Sequence, residues 1–449
     1  MLLEVGCLQM TPSQTNGWMY PPTGCVHLVR ELANVVIHIL WQLKLLVIAT
    51  NWARPLATSR ENEDIGSTIE ASVAFNLSCG TLTPNAEGQE IENKTQTHVE
   101  LTDIIITIGM ASILYIMNSL PSFDDLPPVK GMPQGCAWGI FDKDDKKDLL
   151  GTLNLLTPEV VKDAVGENTL PNTISWPIGS IKIPGFFRKS LCHNVIKLED
   201  PASRSHYGFD DEVEFNTQAS SQWDSFAHFM HLPTGLAYNG AKPTIDAFQT
   251  PKSAQNLPTL DHWHQRGCVT GRGVLIDFKS YAQNHGISYD QFSGFRIGTT
   301  ELEAVAAWQG LTFRAGDILL IRFGVTETLG QMTGAEQGVA MSSGKMCGLE
   351  GSKEMARWLW DRHFSAVASD NMAVEAMPPI IDGVEQPTHE LVLHQWCLSL
   401  LGIPLGELWD LKALAHACRA SGQYSFLLTS SPLNFPGAVA SPPNALAIL

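Results

Sequence analysis

Between Phe215 and His231 the chain reads FNTQASSQWDSFAHFMH. The stretch holds one acid, Asp224, two histidines, His228 and His231, and two glutamines, Gln218 and Gln222, with no lysine or arginine. Carboxylate and imidazole groups placed together are the raw material of metal binding and of proton transfer. Gln218, Ser220, Gln222 and Asp224 alternate, so on an extended strand their side chains share one face. A helix beginning at about Asp224 would put Asp224, His228 and His231 on one side of it. The spacing therefore predicts a strand passing into a helix, with a row of polar groups aimed at one point. A plain reading competes with this one. Asp224 could cap the helix, and His228 could be a satisfied structural histidine, with Trp223, Phe226 and Phe229 as ordinary core.

The rest of the chain has to supply the scaffold. Its 449 residues suffice for one large domain or two to three ordinary ones. At 44% hydrophobic and 17% charged, with 37 glycines and 26 prolines, the composition is globular. A formal charge of -17 excludes a nucleic-acid binder, which needs a basic face. The nine cysteines are scattered without a CxxC pair, which fits buried thiols in a reduced compartment, and cytoplasm is the expected location.

Residues 1–120 differ in texture from residues 121–449. Val26 to Thr50 has the spacing of an amphipathic helix, and residues 58–98 are polar and loop-like. Leu101 to Leu120 is the most apolar run, but its uninterrupted part is too short for a bilayer and its flanks are acidic, so a membrane span is not expected. We expect a poorly ordered or partly helical extension here. From Pro121 on, helices are expected after Thr157-Pro158, over Glu301–Ala315, Lys353–His363 and His389–Leu401, and through Cys418. Gly271-Arg272-Gly273 reads as a tight turn before a strand at Val274–Phe278, ILLIRFGV as a central strand, and 328–350 as a lid-like loop. Asp370 and Glu375 fall at a strand end and suit either a cap or the site. Strands and helices mix without a regular βαβ rhythm, so the fold class is α/β in the mixed α+β sense.

In order along 121–449 stand SSQWDSFAHF, GRGVLIDF, GDILLIRFG, ASDNMAVE, LHQWCLSLLGIPLGELWDL and SPLNFPGAVASPPNA. Together they resemble the fungal branch of the Putative cyclase superfamily, which includes metal-dependent kynurenine formamidase and isatin hydrolase. The resemblance implies a swivelling β/β/α cyclase-like fold over residues 121–449 as a single catalytic domain. It also implies a small-molecule substrate, a homo-oligomer, and a water activated by a divalent metal, zinc or manganese, in tryptophan catabolism or secondary metabolism. The family motif HxGTHxDxPxHF lays its aspartate on Asp224 and its last histidine on His228, followed by Phe229. The later histidine and glutamate fall on His394 and Glu407. Gln218 and Gln222 stand where the motif has its two leading histidines, a change the resemblance marks as a trait of the fungal branch. An amide oxygen is a weaker zinc ligand than an imidazole, so the remaining oxygen-rich set favours manganese or magnesium.

The resulting expectation is an arylformamidase-like hydrolase of a small amide, formamide, or cyclic amide or lactone. Asp224, His394 and Glu407, with Gln218 and Gln222, would make the metal site, and His228 the proton shuttle beside Asp224. Trp223, Phe229 and His231 are candidates for substrate contact. Two alternatives stay open: a metal-independent cyclase or dehydratase of a secondary metabolite using Asp224 and His228 as an acid-base pair, and a small-molecule binding protein without turnover.

Overall fold

The computed structural model describes residues 75–84, 90–99, 120–164 and 171–449. The amphipathic run Val26–Thr50 and nearly all of Leu101–Leu120 lie outside the described residues. Within the stretch read as loop, Phe75–Pro84 and Glu90–Val99 instead form a two-stranded sheet. No helix among the described residues is long and apolar enough to cross a membrane.

A nine-stranded sheet organises the rest. In chain order its strands are β1 (Pro171–Thr173), β2 (Gln222–Asp224), β3 (Val269–Ile276), β4 (Ile318–Ile321), β5 (Ala366–Ser369), β6 (Leu405–Glu407), β7 (Ser425–Ser430), β8 (Ala440–Ser441) and β9 (Ala445–Ile448). Across the sheet they run β8-β2-β6-β5-β4-β3-β7-β9-β1. The four middle strands β6, β5, β4 and β3 are parallel to one another, and antiparallel strands flank them on both sides. β4 is the ILLI run and sits at the centre, as its unbroken hydrophobicity requires of a strand covered on both faces.

Successive residues of these strands face opposite sides, and each side has its own core. Val274, Ile276, Leu319, Ile321, Val367 and Leu405 join one hydrophobic cluster, whereas Leu275, Ile318, Leu320, Ala366, Ala368 and Leu428 join the other. Helices Thr299–Gln309 and Lys353–Asp361 bury residues in the first cluster, and Lys412–Ser421 buries residues in the second. A separate antiparallel pair, Cys192–Glu199 with His206–Glu214, stands outside the main sheet and is mostly exposed.

Several local expectations change. Gly271 and Gly273 lie inside β3 rather than in a turn before it, because ring and methyl groups cover them. A Cβ on Gly273 would sit 2.3 Å from Phe426 Cε2, and one on Gly271 would sit 2.7 Å from Leu156 Cδ2. Gly273→Val is therefore expected to cost about 1–3 kcal/mol by overpacking against a buried ring. Chemical denaturation would check this, and an unchanged midpoint would mean that Phe426 moves freely. The 328–350 stretch is not a bare loop, since Gly334–Ser342 is a helix with the capping box Thr333/Glu336. His389–Leu401 is not one α-helix either. It divides into a short turn at Thr388–Glu390, a helical turn at Val392–His394 and a π-helical segment at Gln395–Leu401.

Candidate functional site

Register brings the acids together. In the β2–β6 ladder Leu405 opposes Asp224, Gly406 opposes Trp223 and Glu407 opposes Gln222. Gln222, Asp224 and Glu407 thus share one face, and Trp223 points to the other. Gly406 is needed opposite Trp223, because a Cβ there would lie 2.7 Å from Ala368 Cβ and 2.8 Å from Trp409 Nε1.

No helix follows Asp224, contrary to expectation. After β2 the chain turns, with His228 N donating to Ser225 O at 3.0 Å and Ser225 N donating to Val439 O at 2.9 Å. The turn still carries His228 back toward Asp224. It does not do so for His231, whose ring Nδ1 pairs with Thr234 Oγ1 at 3.0 Å and which is not among the residues lining the cavity. Trp223 is likewise not available to a substrate. It is fully buried in the second core, edge-on to Trp263 and Trp409, with Nε1 donating to Ser430 Oγ at 2.9 Å. Gln218 comes from the preceding turn rather than from an extended strand.

Glu375 places His394. Its Oε2 accepts the backbone N–H groups of Val392 and Leu393 at 2.9 and 3.0 Å, and its Oε1 accepts His394 N at 2.9 Å. A carboxylate on the first N–H groups of a helical segment is a charge-assisted cap. The same Oε1 stands 3.0 Å from His394 Nδ1, so Nδ1 carries a proton and Nε2 is turned the other way. Nε2 lies 3.2 Å from Glu407 Oε1. Gly351 leaves room for the cap, since a Cβ there would approach Glu375 Oε2 to 2.7 Å.

The glutamines turn their amide nitrogens to the acids. Gln218 Nε2 donates to Asp224 Oδ1 at 2.9 Å, and Gln222 Nε2 donates to Glu407 Oε2 at 2.5 Å. Each carboxylate therefore has one oxygen held. Asp224 Oδ2 is buried with no hydrogen-bond partner among the described residues, as is Gln222 Oε1, while Glu407 Oε1 has His394 Nε2 beside it at 3.2 Å. Unpartnered buried oxygens are costly, and a cation is a standard way to satisfy them. Asp224, His228 and His394 each offer a ligand atom within 4.8 Å of the others. Two carboxylates and one or two imidazoles suit manganese, magnesium or zinc, so the residues fit a divalent ion.

The electrostatics of the site without an ion follow from burial and these contacts. Burial, together with the Asp224 charge, pushes Glu407 up to about 7, with His394 working the other way. Burial opposes charge on His394, but hydrogen bonds to Glu375 and Glu407 outweigh it and push the imidazole up to about 10. Burial lowers His228 despite Asp224 beside it. Without an ion, the proton on His394 thus balances the carboxylates around it, and a cation bound there would take that proton's place.

Above it opens a cavity of about 410 Å³. His228, His394 and Glu407 reach into it, and Phe229, Met372, Ala373 and Leu391 make its apolar wall. Phe229 is fixed from behind by Ser399 Oγ, which donates to its carbonyl at 2.6 Å, and its ring stands edge-on to His394 at 5.2 Å. Glu375 is legible only as an acid near a strand end, and Arg188 and Phe186, which also line the cavity, carry no signal in spacing. Asp370 is a cap, its two oxygens accepting Phe323 N and Gly324 N at 2.7 and 2.6 Å.

Replacing Glu375 by Gln should lower divalent-ion affinity about 10- to 100-fold, the usual effect of losing the partner that orients a ligating imidazole. Chelator competition would measure this. Unaltered affinity would show that His394 is held without Glu375.

Comparison with known proteins now places the chain. The sequence profile of the family described as Putative cyclase matches residues 148–376, just over half of the 449. A solved novel cyclase is 27% identical, with a TM-score of 0.58, covering 70% of this chain and 99% of its own. Isatin hydrolase A from Ralstonia solanacearum is 14% identical with a TM-score of 0.42, covering 62% of this chain and 92% of its own. A potential metal-dependent hydrolase with cyclase activity is 14% identical with a TM-score of 0.36, covering 62% and 98%. No curated protein matches the chain. With its profile match spanning half the sequence and a mixed α/β sheet shared with the solved cyclase, this chain belongs to the Putative cyclase family.

Proposed function

We propose that the chain is a hydrolase of a small amide, formamide, or cyclic amide or lactone, arylformamidase-like in its chemistry. One observation carries this reading: donor atoms of Asp224, His228 and His394 lie within 4.8 Å of one another, Asp224 Oδ2 is buried without a partner, and His228, His394 and Glu407 line a cavity. Asp224, Glu407 and His394 would hold a divalent cation, which when bound supplies Lewis-acid polarisation of a carbonyl and a more acidic water.

The chain's own residues do the rest. Glu375 fixes the tautomer of His394, so that Nε2 faces the site. Gln218 and Gln222 hold one oxygen of each acid, leaving Asp224 Oδ2 open and Glu407 Oε1 to His394. His228, partly exposed to the cavity and held neutral by burial, takes a proton from the attacking water and returns it to the leaving nitrogen or oxygen. Water oxygen bonds to the carbonyl carbon, and the C–N or C–O bond breaks. The products are an acid and an amine or alcohol, or one ring-opened acid.

His228 has a second reading as a ligand, favoured by its place within 4.8 Å of the Asp224 and His394 donor atoms. His228→Ala separates the two. A shuttle loses about 10²- to 10⁴-fold in turnover while the bound metal stays. A ligand loses metal and turnover together. Metal content of protein purified without chelator, alongside hydrolysis of N-aryl formamides and cyclic amides, makes the measurement. A metal-loaded protein that opens none of these bonds would overturn the hydrolase reading, and would favour the cyclase or the binding protein.

A further inference from the structure

Asn371 does not line the cavity, yet it is bonded to the backbone beside two of the site's acids. It lies fully buried just past β5, and its side chain makes all four hydrogen bonds open to an amide. Its Oδ1 accepts Ser369 Oγ at 2.6 Å and Ala373 N at 3.2 Å. Its Nδ2 donates to the carbonyls of Cys347 at 2.7 Å and Val374 at 3.2 Å. Its own carbonyl accepts Leu408 N at 2.8 Å. Gly348 permits this approach, since a Cβ there would lie 2.6 Å from Asn371 Nδ2 and 2.5 Å from Glu375 C.

The two residues it holds share a backbone conformation that bulky side chains avoid. Val374 has a φ of 56° and Leu408 a φ of 55°. The left-handed region is unfavourable for any residue with a Cβ, and for a β-branched valine it is an outlier. Each stands next to a carboxylate of the site, Val374 before Glu375 and Leu408 after Glu407. Val374 is the middle of a γ-turn closed by Glu375 N donating to Ala373 O at 2.5 Å. That reversal delivers the Glu375 carboxylate to the N–H groups of Val392, Leu393 and His394. Leu408 is held on its other side by Ser221 Oγ, which donates to its carbonyl at 2.5 Å. Strained backbone persists only where its surroundings over-determine it, and one buried asparagine is bonded to both strained residues.

We infer that Asn371 is a positioning residue of the site, holding Val374 and Leu408 left-handed so that Glu375 and Glu407 meet His394, one at each ring nitrogen. The inference rests on the hydrolase reading only for what the acids do, since their placement involves neither metal nor substrate. Asn371 Oδ1 also holds Ala373, which with Met372 belongs to the apolar wall of the cavity, so one side chain sets both the acids and part of that wall.

The test uses Asn371→Ser, Ser369→Ala, and Asn371→Ser combined with Val374→Gly. Glycine keeps a left-handed turn without a brace, so the added substitution should restore placement. It does not restore stability, because Val374 is fully buried and its loss leaves a cavity. Backbone amide exchange is followed in the metal-free protein at Val392–His394, whose N–H groups Glu375 caps, with β4 at the centre of the sheet as internal reference. Relative to that reference, exchange at these amides should rise about 10-fold or more in Asn371→Ser and return toward wild type in the double variant. Manganese affinity, measured by chelator competition, should fall about 10- to 100-fold and recover alongside it. Ser369→Ala removes one bond to Asn371 Oδ1 and should move both readouts the same way by less, and it carries the test if Asn371→Ser does not fold. A local rise in exchange in a protein that binds no divalent ion would uphold the positioning and remove the metal from the hydrolase reading. Exchange that rises evenly across the protein, exchange and affinity unchanged in the single variants, or a local loss that glycine does not restore would overturn the inference.

Discussion

Asp224→Ala is expected to empty the metal site and lower turnover by about three to four orders of magnitude, while the variant melts no earlier than wild type stripped of metal. The first half rests on position. Asp224 is fully buried on β2, its Oδ1 held by Gln218 and its Oδ2 unpartnered. Lewis-acid stabilisation is worth several kcal/mol in the transition state, and each 1.4 kcal/mol is a factor of ten. The second half rests on electrostatics. Asp224 raises the pKa of Glu407, so without a cation the two acids repel in a buried place. Alanine removes one of them and keeps the ladder, because Asp224 joins Leu405 and Ala440 through its backbone. Metal content, turnover and a melting curve taken on one preparation check all three parts. Turnover that persists after the metal is gone would mean that the acid-base pair works by itself. A large fall in melting temperature would mean that Asp224 is a structural cap after all.

Much of this arrangement is legible in the residues themselves, and the reasons are local. Gln222 and Asp224 share a face because alternation fixes direction on any strand, however short. ILLI announced a central strand because nothing but a doubly covered position tolerates four apolar residues in a row. His394 and Glu407 are another matter. They lie far along the chain from Asp224, and only their resemblance to a family motif joined them to it. Pairing between β2 and β6 is a long-range event that no local pattern encodes. His231 and Trp223 were misplaced for opposite reasons. A helix after Asp224 would have aligned His231, but the chain turns instead. Trp223 sits next to Asp224 in sequence, and the strand's own period sends it to the far core. Glu375 acts through backbone capping, which leaves no periodic trace.

The glutamines offer the sharper test of how the site has been tuned. Replacing both, Gln218→His with Gln222→His, is expected to raise zinc affinity by about 10²- to 10³-fold and to shift preference from manganese toward zinc. Two effects oppose each other here. Each imidazole added to a zinc site contributes a few of the roughly 10–16 kcal/mol that a full set provides. Against this, the amide donors to Asp224 Oδ1 and Glu407 Oε2 are lost, which costs about 1–3 kcal/mol for each acceptor left bare. The gain exceeds the loss only if both side chains face the cation. The burial of Gln222 Oε1 without a partner, on the strand face that also carries Asp224 with its unpartnered Oδ2, argues that Gln222 does. Gln218 is the weaker case, since its amide also stands 3.2–3.3 Å from the His228 ring nitrogens. The two single variants should therefore differ, with Gln222→His carrying most of the gain. Competition between zinc and manganese with a chelating indicator would rank them. Zinc affinity that falls in both single variants would show the amides to be braces for the carboxylates, with the cation held on the other side of them by His394 and His228.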